Sequence, residues 1–249
     1  MLKTQRIKNM NTAKLNTGQK RTRRRIIEIS YESKLAHLGS CLSVVDIIEA
    51  IYLIKKQDER FILSGGHAGI ALYVILEKHG FIKPEVIPAL HIHPDRNINL
   101  GIDFSTGSLG QGLPVAVGMA LSNRNRRIFC VITDGECAEG SIWEALRITS
   151  ENKICNLITI VNANGWGAYD PVSSVSLLKR IKAFGLNTIE VDGHNIKGIT
   201  DVIEKAVKNG PSVIFAKTSV EQFNFLKGQD AHYYVMDEND YKSAMEILK

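Results

Sequence analysis

Between Arg127 and Trp166 the chain reads RIFCVITDGECAEGSIWEALRITSENKICNLITIVNANGW, and no other stretch constrains the fold as strongly. An apolar run, Ile128 to Ile132, stops at Thr133-Asp134-Gly135. A helical pattern follows from about Glu139, and a second apolar run, Leu157 to Val161, stops at Asn162-Ala163-Asn164. Two strand-length runs flanking one amphipathic helix predict a βαβ unit. Crossovers between parallel strands are almost always right-handed, so the two strands can lie side by side and deliver Asp134 and Asn164 to the same carboxyl edge of a sheet. A carboxylate and an amide oxygen are hard ligands, suited to Mg²⁺ or Ca²⁺, and Mg²⁺ usually completes its shell with phosphate oxygens. Taken singly, Asp134-Gly135 and Asn164-Gly165 are ordinary turn dipeptides. Together they ask for a phosphorylated ligand.

The remaining chain supplies the other parts of an α/β domain. A helical pattern runs from Arg25 through Ile26, Ile27, Ile29 and Leu35 to a turn at Ala36-His37-Leu38-Gly39-Ser40, and Ser43 reads as the cap of a second helix, Val44 to Ile54. Phe61 to Ser64 is a short buried strand, and Gly65-Gly66-His67-Ala68-Gly69 leads from it into a helix, Ile70 to His79. Glycines at a strand-to-helix junction let a phosphate approach free N–H groups closely. His91-Ile92-His93 invites a metal reading, but Pro94 ends the strand on which the two rings would share a face. The glycines between Gly107 and Gly112 follow GxxGxG and not the dinucleotide fingerprint GxGxxG. Helices at Leu113 to Leu121, Leu177 to Phe184 and Ile199 to Lys208, with strands at Thr188 to Val191 and Ser212 to Lys217, complete the pattern. His194, in the Asp192-Gly193-His194 turn, reads as a structural cap.

The order Thr133-Asp134-Gly135, Glu139-Gly140, Trp143-Glu144-Ala145, Asn156-Leu157-Ile158, then Asn164, resembles the thiamine diphosphate signature in its transketolase form. His37-Leu38-Gly39, Ser64-Gly65-Gly66-His67-Ala68, His93-Pro94, Ser105-Thr106-Gly107-Ser108-Leu109-Gly110-Gln111-Gly112, Ala183-Phe184-Gly185, Val191-Asp192-Gly193-His194 and Ala216-Lys217-Thr218 match further landmarks in family order, covering roughly residues 25 to 247. The resemblance implies a doubly wound α/β domain with a mainly parallel sheet. It also implies that Asp134, Asn164 and the Trp166 carbonyl hold Mg²⁺ (or Ca²⁺), and that Gly107, Ser108, Leu109, Gly110, Thr133, Gly135 and Glu136 bind thiamine diphosphate. His37, His67, His93 and, more loosely aligned, His232 would face the substrate, with Glu139 at a subunit interface. Two positions depart from the family pattern: Thr133 stands where Gly is usual, and Gly65 where Lys or Asn is common. The activity implied is transfer of a two-carbon ketol unit from a ketose to an aldose. The alternatives are a transketolase-like module that has lost catalysis and a 2-oxo acid dehydrogenase α subunit, which shares the Asp...Asn pair but not the Ser-Thr-Gly-x-Leu-Gly-Gln-Gly loop.

The net charge of +5 is unevenly spread: the first 25 residues hold nine Lys or Arg and no acid, leaving 22 basic against 26 acidic residues in the remainder. The run Lys20-Arg21-Thr22-Arg23-Arg24-Arg25 is open to three readings: a nucleic-acid patch, a targeting arm or a solvated tail. With no interleaved aromatics and no nucleic-acid motif, we expect a tail over residues 1 to 24 ahead of one domain, 25 to 249. No apolar run reaches membrane-span length, and Cys41, Cys130, Cys137 and Cys155 have neither CxxC nor zinc spacing. Cys130 and Cys155 read as small core residues, Cys137 as a loop filler, and the setting as a reducing cytoplasm. The resemblance also requires a second domain that binds the aminopyrimidine ring and presents an activating glutamate. About thirty residues follow Lys217, too few for such a domain. The sequence therefore predicts that a separate C-terminal subunit carries the pyrimidine-binding domain, within a heterotetramer of two plus two chains acting on sugar phosphates.

Overall fold

The computed structural model describes residues 15–206 and 210–249. Strands β1 (Arg60–Leu63), β2 (Ile128–Thr133), β3 (Leu157–Ala163), β4 (Asn187–Asp192) and β5 (Ser212–Lys217) form one parallel sheet in the order β1-β2-β3-β5-β4. Parallel neighbours need crossovers, which helices supply. Helix α1 (Thr17–Glu32), α2 (Leu38–Ile54), α3 (Gly69–Lys78), α7 (Ile196–Ala206) and α8 (Glu238–Ile247) cover one face, and α4 (Gly112–Ser122), α5 (Gly140–Glu151) and α6 (Ser174–Ala183) the other.

The strands sort their side chains between these layers with period two. Phe129 and Val131 of β2, Ile158 and Ile160 of β3, and Ile214 and Ala216 of β5 enter the α1/α2/α3 core. Ile128, Cys130, Ile132, Leu157, Val161, Val213 and Phe215 enter the α4/α5/α6 core. Every residue of β2 and β3 is buried, as expected of central strands covered on both faces. The doubly wound α/β fold expected from the sequence is therefore observed.

Three expectations need correction. Residues 1–14 of the expected tail lie outside the described residues, but α1 begins at Thr17, fixed by a reciprocal cap in which Gln19 N donates to Asn16 Oδ1 (2.9 Å) and Asn16 N to Gln19 Oε1 (3.2 Å). The basic run is thus helical, and intramolecular pairs consume part of it: Arg23 is fully buried against Asp46, and Arg25 meets Glu77 at 3.1 Å. Second, α2 starts at Leu38, and Ser43 is interior, its hydroxyl donating back to the Ser40 carbonyl at 2.9 Å. Third, Cys155 is exposed, whereas Cys41, Cys130 and Cys137 are buried. No helix among the described residues is long and apolar enough to cross a membrane.

Candidate active site

The carboxyl ends of β1, β2 and β3 converge with the Ser105-to-Gly112 loop, and a buried glutamate ties them together. Glu136 sits in the one-turn 3₁₀ segment Gly135–Ala138 after β2. Its carboxylate accepts from the Ser64 hydroxyl, from Gly110 N (2.8 Å) and from Thr133 N (3.3 Å), while its own N–H donates to Thr133 Oγ1 (3.0 Å). Burial pushes this carboxyl up, against the pull of those donors. Glu136 and Gly110, expected to contact the cofactor, therefore satisfy each other, and their role is to shape the loop. The Gly110 backbone, with φ of 83°, is also held by Ser141 Oγ donating to its carbonyl (2.7 Å).

Asp134 is the first residue beyond β2. Its N–H continues the ladder to the Asn162 carbonyl at 3.2 Å, which sets Asp134 beside the end of β3. Its carboxylate oxygens accept from Gly135 N (3.0 Å) and Gly165 N (2.6 Å), and Asn164 Oδ1 accepts from Trp166 N (2.9 Å). A Cβ on Gly135 would come within 3.2 Å of the Trp166 carbonyl and 2.8 Å of Gly167 Cα, so only glycine allows this close approach. A carboxylate, an amide oxygen and a main-chain carbonyl are thus gathered in one place. This is a hard-oxygen set of the kind that holds Mg²⁺ or Ca²⁺. Burial lifts the Asp134 carboxyl to about 7 despite nearby backbone N–H donors, so a cation there would restore its charged form. Among the described residues no group of three or more His, Cys, Asp or Glu is placed to hold a metal, and exposed His91 pairs with Asp95.

Above this cradle lies a cleft lined by His37, His67, His93, Gly107, Leu109, Thr133, Gly135, Asn164, Trp166, Gly167, Ala168, His232 and Tyr233. The ring centroids of His37 and His67 are 5.2 Å apart and those of His67 and His232 6.3 Å, while a Cβ on Gly107 would lie 3.1 Å from the His93 ring. Burial lowers His67 to about 3, helped by repulsion from His37, His232 and His93. Burial, then His232 and His93, lowers His37, and burial lowers His232 against a raising contact with the Trp166 carbonyl. These three imidazoles are neutral near pH 7 and can each donate from one nitrogen and accept at the other. His37 holds a left-handed backbone (φ 64°), anchored by its N–H donating to the His232 carbonyl at 2.8 Å. His232 Nδ1 lies 2.8 Å from Ser40 Oγ. His37 Nδ1 and Thr106 Oγ1 are buried without a partner, and a Cβ on Gly66 would come 2.7 Å from Gly107 N. Orphaned polar atoms and backbone too crowded for a side chain fit a bound, oxygen-rich group.

Two expected residues stay outside the cleft. Ser108 is exposed on its rim, paired with Gln111 Nε2 at 3.3 Å. Glu139 is exposed as the cap residue of α5, its Cβ only 2.7 Å from where a side chain on Gly110 would begin, on the outer side of the loop. Tyr233, Ala168 and Gln229 carry no signal in the sequence, because they lie in irregular segments without periodicity or a motif.

Comparison with known proteins agrees with this geometry. Residues 31–248 match the family described as transketolase, thiamine diphosphate binding domain. The chain is 31% identical to the first of the two chains of the apulose-4-phosphate transketolase of Actinobacillus succinogenes, over 97% of this chain and 98% of that one. It is 35% identical to the human transketolase over 73% of this chain but only 33% of that one. The crystal structure of the Campylobacter jejuni transketolase superposes with a TM-score of 0.76 at 25% identity, over 93% of this chain and 42% of that one.

The two departures from the family pattern turn out to be two sides of one contact. A Cβ on Gly65 would come within 2.7 Å of Thr133 Cγ2. Thr133 therefore fills the space a side chain at position 65 would need, and glycine there is the complement. Gly65→Asn alone should overpack the junction of β1 and β2 and cost about 1–3 kcal/mol. Adding Thr133→Gly should recover part of that loss, with a coupling of about 1 kcal/mol or more in a double-mutant cycle read by urea unfolding. Simple additivity would mean the two positions are independent.

Proposed function

Because this chain belongs to the transketolase family, as its thiamine diphosphate-binding domain, we propose that it is the diphosphate-binding subunit of a two-chain transketolase, moving a two-carbon ketol unit from a ketose phosphate to an aldose acceptor. The observation that carries this reading is the gathering of Asp134, Asn164 and the Trp166 carbonyl beneath a cleft lined by neutral histidines. Asp134, Asn164 and Trp166 would hold Mg²⁺, with Ca²⁺ as a substitute, and Gly107 to Leu109 with Gly135 would border the diphosphate. Thiamine diphosphate, when bound, supplies the electron sink for breaking and making a carbon–carbon bond beside a carbonyl.

The protein's own contribution is position and hydrogen bonding. His37, with its unpartnered Nδ1, and His67 and His93 would hold the hydroxyl and carbonyl oxygens of the ketose. His232, its Nδ1 engaged by Ser40, would present the other ring nitrogen to the cleft. Neutral rings suit this work because each can pass a proton either way without first losing a charge. We place the partner as a separate chain carrying the pyrimidine-binding domain and the activating glutamate, the assembly as a two-plus-two heterotetramer, and its setting as the cytoplasm, in keeping with the free thiols of Cys41, Cys130 and Cys137. Glu139, exposed on the outer side of the loop, is assigned to the interface between the two halves. The relatives favour neither a 2-oxo acid dehydrogenase nor a module without catalysis.

A thermal melt tests the cofactor assignment. With the partner chain present, thiamine diphosphate and Mg²⁺ together, at about 100 times the Kd, should stabilise the protein by ~2.7 kcal/mol, and either alone by far less. Asp134→Ala should abolish the joint effect. Survival of the full shift in Asp134→Ala would show that the metal is held elsewhere.

A further inference from the structure

Tyr233 follows His232 directly and stands at the mouth of the same cleft, yet the proposed reaction gives it no task. Its ring is 52% exposed, with its centroid 6.0 Å from that of His37. Its hydroxyl donates to the Ala168 carbonyl at 2.7 Å, and the same carbonyl receives Gln229 Nε2 at 2.7 Å. Nearby, Gly228 lies flat against the Trp166 indole, where a Cβ would come within 3.0 Å of the ring. The segment from Gly228 to Tyr233 is thus fastened across the segment from Trp166 to Ala168 at several points.

That fastening decides what the tyrosine offers a ligand. With its proton committed to a backbone carbonyl, the phenol is not free to donate to a substrate, and the side chain presents an apolar aromatic face. His67 lies deeper, and Tyr233 is at the solvent end. A molecule whose carbonyl reaches the histidines must therefore run its far end past the Tyr233 ring. Among the described residues the lining has no Lys, Arg, Asp or Glu that would draw or repel that end by charge, so bulk is the property this rim can sense.

We propose that Tyr233 is a specificity-determining residue for ketol transfer, its ring narrowing the mouth of the cleft beside His37 and favouring short aldose acceptors over long ones. The proposal rests on the transketolase reading above, and one experiment separates the two. The assembled two-chain protein, loaded with thiamine diphosphate and Mg²⁺, is given hydroxypyruvate as donor and either glycolaldehyde or ribose as acceptor. Tyr233→Ala should raise the ribose-to-glycolaldehyde ratio of kcat/KM by about tenfold, mainly through the KM for ribose. Tyr233→Trp should lower that ratio, and Tyr233→Phe, which keeps the ring, should leave it unchanged. All three should keep the wild-type cofactor-dependent thermal shift. A wild-type ratio in Tyr233→Ala, or a changed ratio only in variants that have lost the thermal shift, would overturn the proposal. If the wild-type assembly transfers to neither acceptor, the transketolase reading fails and this inference fails with it.

Discussion

Asp46→Ala should destabilise the protein by about 3–5 kcal/mol, because it strands the guanidinium of Arg23 inside the core. Arg23 is fully buried and Asp46 2% exposed. Arg23 reaches Asp46 at 2.5 Å and 3.0 Å, and its Nε donates to Gln222 at 2.8 Å. Gln19 Nε2 adds a donor to Asp46 at 3.0 Å, and His194 Nδ1 lies 2.9 Å from it. His194 Nε2 accepts from Ser219 N at 3.0 Å, so its Nδ1 is the protonated nitrogen and donates to Asp46. The network joins α1, α2, the turn after β4 and the segment after β5. Burial alone would raise the Asp46 carboxyl, but the Arg23 charge and the His194 hydrogen bond outweigh it and hold the group well below the usual carboxylate range. A depressed carboxyl contributes stability that is fully present above its unfolded value, about 4, and is lost as pH falls through the lower folded value. The gap between wild type and Asp46→Asn in urea midpoint should therefore be constant near neutrality and shrink below about pH 4. A midpoint for Asp46→Ala within about 0.5 kcal/mol of wild type would mean the pair is replaceable by water.

This buried pair also shows where reading the sequence stops. A run of five basic residues within six positions is usually solvated, and composition alone points to a tail. The helical phase holds a contrary signal: Gln19, Arg23, Ile26, Ile27 and Ser30 share one stripe, and all are buried. The neighbouring acid, Asp46, sits in an otherwise apolar helix, which marks it as a partner for a buried cation. The metal cradle is far more legible. Its two side chains lie directly beyond adjacent parallel strands, so identifying the strands is enough to bring Asp134 and Asn164 together. The insertion of β5 between β3 and β4 is not legible, since no local pattern encodes strand order. The complementarity of Gly65 and Thr133 depends on β1 lying beside β2. Along the chain they are two unrelated departures, and only sheet order makes them one contact.

Purified without its partner, the chain should show no ketol transfer from hydroxypyruvate to glycolaldehyde, and adding the pyrimidine-binding chain should raise the rate by at least about 10²–10⁴-fold, the usual worth of one acid–base group. The reason lies in what lines the cleft. Histidines, glycines, Leu109, Thr133, Asn164, Trp166, Ala168 and Tyr233 supply hydrogen bonds and apolar surface, but among the described residues no carboxylate and no permanent cation reaches it. Glu136 is spent on Ser64, Gly110 and Thr133, and Glu139 faces outward beyond Gly110. Asp134 lies beneath the floor, committed to Gly135 and Gly165. The proposed reaction needs a carboxylate to activate the cofactor's aminopyrimidine and cations to hold sugar phosphates, and both must come from a surface that covers this cleft. The Actinobacillus succinogenes relative, similar over almost its whole length, is itself named as one subunit of a transketolase. The partner should bring a glutamate whose change to glutamine removes the activity while leaving the joint thermal shift with thiamine diphosphate and Mg²⁺ largely intact. Transfer by this chain alone at the rate of the assembly would sink the two-chain reading, because every residue needed would then already be present in the cleft.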